Sequence, residues 1–280
     1  MKQTANKIDY SKAMLPRTRK EQFKDCFRMN YLTILKCGLF LLLFFIPLLV
    51  FTLFMDFYYM SLLDQLATKG AGQLEIEQTR NLFFWIYNSC IVVLTLPVIV
   101  GISGVTHVLR NLIWGEGIFF ASDFGKGIKA NSLKNLIFGF ITGVIFFASY
   151  FVSTLFNFLF VAYIPLIIFA VVFFPVYFWI IYINNTYSTK WTGLIRNGFY
   201  FFLKNAGWSI LGILMPLSIA ALVFLPLSLI WLKYIFLVLF IVFVFPIIFL
   251  IMTLFTTAKF DESINQEYYP DFYLKGLNHD

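Results

Sequence analysis

The sequence predicts an all-α integral membrane protein built as a six-transmembrane-helix bundle, and three observations lead there. Of 280 residues, 60% are hydrophobic and only 12% charged, against about 25% charged in soluble domains. The uncharged stretches match the roughly 20 residues that cross about 30 Å of hydrocarbon, or twice that number. The cations, finally, gather in alternate connections. A soluble domain of this size must cover its surface with polar groups, which 21 Lys and Arg with 14 Asp and Glu do not supply. A soluble enzyme, a nucleic-acid-binding domain and a secreted disulfide scaffold are thereby excluded. Cys26, Cys37 and Cys90 are odd in number and form no C-x-x-C pair. They read as small apolar fillers rather than bridges or zinc ligands.

Residues 1–36 form a basic leader. Phe23, Phe27, Tyr31 and Ile34 recur at spacings of four, four and three, with Lys20, Lys24 and Arg28 one residue away. That is the pattern of an amphipathic helix lying in the membrane interface. The first span follows at about 37–58, lacks a small-residue cleavage site and reads as retained. The second covers about 82–109. Residues 135–185 carry no charge and exceed one span. Pro165, suited to the first turn of a new helix, divides them into a third span (135–160) and a fourth (165–185). The run 205–257 divides at Trp231-Leu232-Lys233-Tyr234, a cation with two aromatics that reads as an interface anchor. If one of these divisions is absent, the count is five. The membrane domain is thus 37–258, followed by an acidic tail at 259–280.

With both termini on one side, that side holds 18 of the 21 Lys and Arg, a positive-inside pattern that predicts cytoplasmic termini. Only Lys69, Arg80 and Lys233 fall on the other side, where 59–81 is the one sizeable segment. Arg28 and Lys36, Lys126 and Lys134, and Arg196 and Lys204 are each eight apart before a span, which brings each pair to nearly one helical face. This predicts three repeated helical hairpins, each preceded by a basic amphipathic cytoplasmic helix. Coincidence is the open alternative, since cations before spans are expected anyway.

The spans contain almost no ionisable groups, only Asp56 at the outer end of the first and His107 near the inner end of the second. Such groups are costly in hydrocarbon and usually functional. Their scarcity argues against proton-coupled transport and against hydrolysis by intramembrane carboxylates. Two histidines, His107 and His279, cannot build a histidine metal cluster. No catalytic, cofactor-binding or metal-binding residue is assigned, and His107 reads as a hydrogen-bonded packing residue. Asn88, Ser153, Asn157 and Asn184 are candidates for a polar pocket, although such groups more often join neighbouring helices. Gly139-x-x-x-Gly143 and Gly101-x-x-Gly104 permit close helix approach. Seven of nine prolines lie in or beside spans. Pro47, Pro97, Pro175, Pro216 and Pro246 are expected to kink their helices or free a carbonyl.

The stretch Leu96–Gly139 carries Leu96-Pro97, then Gly101, Ser103 and Gly104, then Arg110, Glu116-Gly117, Asp123-Phe124, Lys126, Lys129, Asn131 and Lys134. It resembles the YesL-like family of small bacterial polytopic membrane proteins, and the opening through Phe45-Ile46-Pro47 is compatible. The resemblance covers about half of the chain and implies a similar number of spans in a bacterial cell membrane. Members are often encoded beside carbohydrate-uptake and polysaccharide-degradation genes, which implies association with those systems. No catalytic residues carry over, and segments 59–81 and 259–280 match no pattern of the family.

The leading functional expectation is a non-enzymatic accessory protein of a transporter or sensor. It would dock that subunit, or the anionic inner leaflet, through Arg28, Lys36, Asp123, Lys126, Lys129, Lys134, Arg196 and Lys204. The alternative is a permease for a neutral solute or lipid, using the kinked, polar-lined bundle. A lipid-modifying enzyme would have only His107, Glu116 and Asp123 to work with.

Overall fold

The structure, a computed structural model, describes residues 15–155, 161–211 and 229–278. Among these residues the secondary structure is entirely helical. In chain order come α1 (Arg19–Met29), α2 (Tyr31–Thr68), α3 (Gln73–Ile113), α4 (Phe120–Leu155), α5 (Val161–Thr186), α6 (Trp191–Lys204), α7 (Ala206–Leu211) and α8 (Ile230–Tyr268). Five of the described helices, α2, α3, α4, α5 and α8, are long and apolar enough to cross a membrane. They stand on the expected first, second, third, fourth and sixth spans. The expected fifth falls largely on 212–228, outside the described residues.

The surface agrees with lipid as the surrounding medium. Leu39, Leu43, Ile46, Val50 and Phe54 recur at three- and four-residue spacing along α2 and are all exposed. Ile137, Phe140, Ile141 and Val144 form a similar face on α4. Apolar faces this continuous are not left to water. The architecture is compatible with a multi-pass helical membrane bundle.

Helices α2 and α3 hold 38 and 41 residues. At 1.5 Å per residue they are about 57 and 62 Å long, roughly twice the hydrocarbon thickness. The segment 59–81, expected as a connection, is therefore mostly helix, and only 69–72 remain for the turn. Gly70 makes that turn with a φ of 64°, a left-handed conformation that glycine adopts without strain. Tyr58 and Tyr59 pack their rings on Phe83, and Tyr59 also on Phe84. This aromatic seam keeps the two helices paired to their tip.

At the opposite, leader end, α1 is capped by the Thr18 side chain, which accepts from the Glu21 N–H. It stops at Asn30, with φ −127° and ψ 26°. Helix α6 stops in nearly the same way at Asn205, with φ −124° and ψ 38°. The third approach differs, because α4 runs unbroken from Phe120 past Lys126 and Lys134 into its apolar part. A separate basic helix thus precedes α2 and α7 but not the third span. Nor are the cation pairs equivalent: Arg28 and Lys36 straddle a break, whereas Arg196 and Lys204 both lie within α6. The leader stripe is likewise split, with Phe27 and Tyr31 exposed and Ile34 buried.

Proline shapes the interior. Pro47 and Pro97 sit inside continuous helices. Pro175 and Pro246 are each preceded by a π-helical turn, Phe169–Phe173 and Phe240–Val244. Proline lacks an N–H and its ring collides with the carbonyl four residues back; a widened turn relieves both. The carbonyl of Val242, four residues before Pro246, is directed at α2. A Cβ on Gly38 would lie 2.0 Å from that oxygen and 2.9 Å from Pro246 Cγ, so only glycine fits. The Gly139-x-x-x-Gly143 face is tight in the same sense, with would-be Cβ contacts of 2.3 Å to Ile99 and 2.8 Å to Val92 of α3. Replacing Gly38 by Leu is expected to cost about 1–3 kcal/mol through overpacking, read as a lower unfolding temperature in detergent.

Candidate functional site

Three helices bring polar side chains together at the leader end. On α3, Ser103, His107 and Arg110 share a face; on α4, Asn131 and Asn135 are one turn apart; α5 ends in Asn184 and Asn185. Asn131 Nδ2 donates to Asn185 Oδ1 at 2.8 Å and Asn135 Nδ2 to Ser103 Oγ at 2.8 Å. Asn184 Nδ2 donates to Asn135 Oδ1 at 2.9 Å and to the Asn131 carbonyl at 3.0 Å. Tyr177 OH reaches the Asn135 carbonyl at 3.2 Å. Arg110 donates to the Asn185 carbonyl and to Asn111 Oδ1, lies 3.1 Å from His107 Nδ1, and stacks on Trp114. All four asparagines are buried. Their donated bonds go to one another and to Ser103, as is usual for interior polar groups.

Beyond this junction the C-terminal segment folds back as a clasp. Arg19 of α1 forms an ion pair with buried Asp261, whose Oδ1 also accepts from Asn265 and from the Leu274 N–H. Gln22 Nε2 donates to the Ile113 and Gly276 carbonyls, and the Asn278 N–H to the Pro16 carbonyl. Lys275 pairs with Glu116 at 2.8 Å and lies over the Trp114 ring. Burial pulls the Arg19 guanidinium below its ordinary value, while the charge and hydrogen bond of Asp261 oppose that shift. Burial first, and neighbouring Asp25 second, push the Cys26 thiol up to about 12, leaving it without thiolate character. The 259–280 segment is thus not a free acidic tail over its described part. Its first residues continue α8, and Asp261 is internal.

The expected docking residues divide. Arg28, Lys36, Lys129 and Arg196 are exposed and make no ion pair among the described residues. Lys126 is exposed but paired with Asp123 at 3.0 Å. Asp123 itself is buried, with Oδ2 accepting the Phe119 N–H at the start of α4. That corrects its reading as a surface group. Lys134 is half-buried and donates to the Thr189 carbonyl at 2.6 Å, and Lys204 donates to Ser263 at 2.9 Å.

The expected polar pocket does not assemble. Asn88 donates to the Phe84 carbonyl and Ser153 to the Tyr150 carbonyl, each within its own helix. Asn184 belongs to the leader-end junction, and Asn157 lies outside the described residues. Instead an apolar cavity of about 340 Å³ opens among α2, α3, α4, α5 and α8, lined by Phe45, Val92, Ile99, Gly143, Phe178 and Phe249 among others. Its wall includes Tyr177, which links it to the junction above. A second cavity of about 150 Å³ adjoins it towards the hairpin tip and shares Phe45, Leu48, Ile91 and Phe245.

This second cavity ends at Lys233, expected as an interface anchor, which is turned into the protein with only 4% of it exposed. Lys233 Nζ lies 2.6 Å from Asp56 Oδ2, which also accepts the Tyr234 hydroxyl at 3.0 Å. Among the described residues, no three of His, Cys, Asp and Glu converge as metal ligands. No family model, curated protein or solved structure matches the chain.

The two sets of asparagines separate by experiment. Replacing Asn184 by Leu strands the buried Asn135 amide oxygen and is expected to cost about 1–3 kcal/mol. Replacing Asn88 by Leu removes only a bond within one helix and is expected to stay within about 0.5 kcal/mol. Thermal unfolding of both variants in the same detergent checks the contrast.

Proposed function

We propose that the chain is a non-enzymatic accessory protein of a bacterial cell membrane that docks a transporter or sensor subunit at its leader end. It has six spans arranged as three hairpins, with both termini cytoplasmic. The observation that carries the docking reading is the set of cations that are exposed and make no ion pair among the described residues, Arg28, Lys36, α4's Lys129 and α6's Arg196. The clasp holds α1 against the ends of α3 and α8, so Arg28 is presented on a fixed frame. An acidic partner surface or the anionic inner leaflet complements such a face, each cation near the leaflet contributing about 1 kcal/mol. The resemblance of Leu96–Gly139 to the YesL-like family points the proposal towards carbohydrate uptake or sensing. A permease for a neutral solute or lipid is the second reading, favoured by the interior cavities. It predicts faster exchange of labelled lipid between leaflets in vesicles holding the protein than in protein-free vesicles.

Purification of the full tagged chain in mild detergent is expected to recover a partner in fixed ratio. Combining Lys129→Glu with Arg196→Glu is expected to reduce that recovery roughly tenfold by charge repulsion. Recovery of the chain alone, or a partner indifferent to both changes, overturns the docking reading. Orientation has its own test. With Cys26, Cys37 and Cys90 replaced by Ser, Lys69→Cys is expected to react with a membrane-impermeant maleimide on intact cells, and Ser188→Cys only after lysis.

A further inference from the structure

We infer that the two adjoining cavities form a binding slot for one acyl chain of a membrane phospholipid, with Lys233 receiving its headgroup oxygens. This inference does not rest on the docking reading, and it holds whether or not anything is transported.

Shape is the first argument. Along α3 the walls of the two cavities run from Tyr87 through Ile91, Thr95 and Ile99 to Ile102. Fifteen residues of helix span about 22 Å, so the space is long and narrow. Half of a 30 Å hydrocarbon core is about 15 Å, so the space is long enough for the full depth of one lipid chain and reaches past the bilayer midplane. A compact polar solute would meet mostly phenylalanine, valine and isoleucine side chains. A hydrocarbon chain meets surfaces like its own.

Charge is the second. A buried ammonium carries three N–H donors, and Lys233 has a single hydrogen-bond partner, Asp56, among the described residues. Lys233 lines the smaller cavity together with Thr52, Tyr87 and Tyr234, whereas Asp56 is not part of that wall. The slot is therefore faced by the cation and by hydroxyl groups, with the carboxylate set behind them. Phosphate and ester oxygens are strong acceptors for the ammonium donors that have no partner among the described residues.

Depth is the third. Asp56 lies 20 residues after Lys36 on one helix, about 30 Å away, which is one hydrocarbon thickness. The ion pair therefore stands at headgroup level on the hairpin-tip side, and the slot runs inward from it as a lipid chain does.

The test uses the full chain in vesicles containing a phospholipid with a photoactivatable diazirine in its acyl chain, with attachment sites mapped by peptide mass spectrometry. Attachment is expected at the slot residues Ile91, Val92 or Phe245 as well as at lipid-facing Leu43 and Val50. Thr142→Phe, which fills the larger cavity, and Lys233→Met, which removes the headgroup contact, are each expected to reduce slot attachment roughly tenfold. Attachment at Leu43 and Val50 should not change and reports that the bundle is intact. Three results would overturn the inference. One is attachment confined to the lipid-facing residues. Another is slot attachment that survives Thr142→Phe. The third is a slot that a diazirine fatty acid labels and the phospholipid does not, which would assign it to free fatty acid. Should Lys233→Met fail to fold, Thr142→Phe and the fatty-acid arm still decide.

Discussion

Lipid tails are as apolar as leucine, so burying leucine between two membrane helices is not a strong force for bringing them together. What a bilayer does enforce is that every amide and carbonyl away from water finds a protein partner. The asparagine junction at the leader end is where this constraint acts most strongly in the described structure. Asn184 cannot satisfy its amide without the Asn131 carbonyl and Asn135; Asn131 requires Asn185; Asn135 requires Ser103. These demands close only when α3, α4 and α5 stand in one rotation and one height relative to each other. The close glycine contacts between α3 and α4, and the clasp at the end of α3, agree with that arrangement.

Much of the architecture was legible in the chain because a long apolar run has few ways to be satisfied in lipid. Five expected spans fall on long helices, and Pro165 stands in the first α-helical turn of α5, just after its 3-10 start at Val161–Tyr163, as its missing N–H allows. Tertiary pairing was not legible. Lys233 reads as an interface anchor by its aromatic neighbours, and nothing near it in the chain reveals that its partner is Asp56, 177 residues earlier. Counting cations by connection has no means of seeing that pair. The segment 59–81 fails for a related reason. Asp64, Gln65, Glu75 and Glu77 are polar but compatible with helix, so composition marks where hydrocarbon ends without marking where the helix does.

The same limit applies at the candidate sites. Asn184 and Asn185 stand out in the sequence as polar groups ending a span, and Asn131 falls within the stretch Leu96–Gly139. That stretch also supplies Ser103, Arg110 and Glu116 to the junction and clasp, so several of its polar residues are accounted for by bonding between segments. Asp123 illustrates how a surface reading goes astray: its spacing from Lys126 suits an exposed pair, but its second oxygen is used to start α4. The cations left over, Lys129 and Arg196 among them, stand out only once the engaged ones are subtracted.

Proline connects the sequence to the interior space. Pro175 and Pro246 each force a widened turn, and both turns border the cavities: Phe169 and Phe174 line the larger, Phe240 and Ile241 the smaller, and Phe245 both. A regular helix at either place would carry its side chains one step further round and alter the wall. Around α8 the consequence is twofold, because the same turn that shapes the cavity directs the Val242 carbonyl at Gly38. A glycine near the start of α2 and a proline in α8 are therefore one device, a close helix contact on one side that leaves room on the other. The apolar slot is built into the way these helices bend, and its one charged end comes from the ion pair that joins α2 to α8.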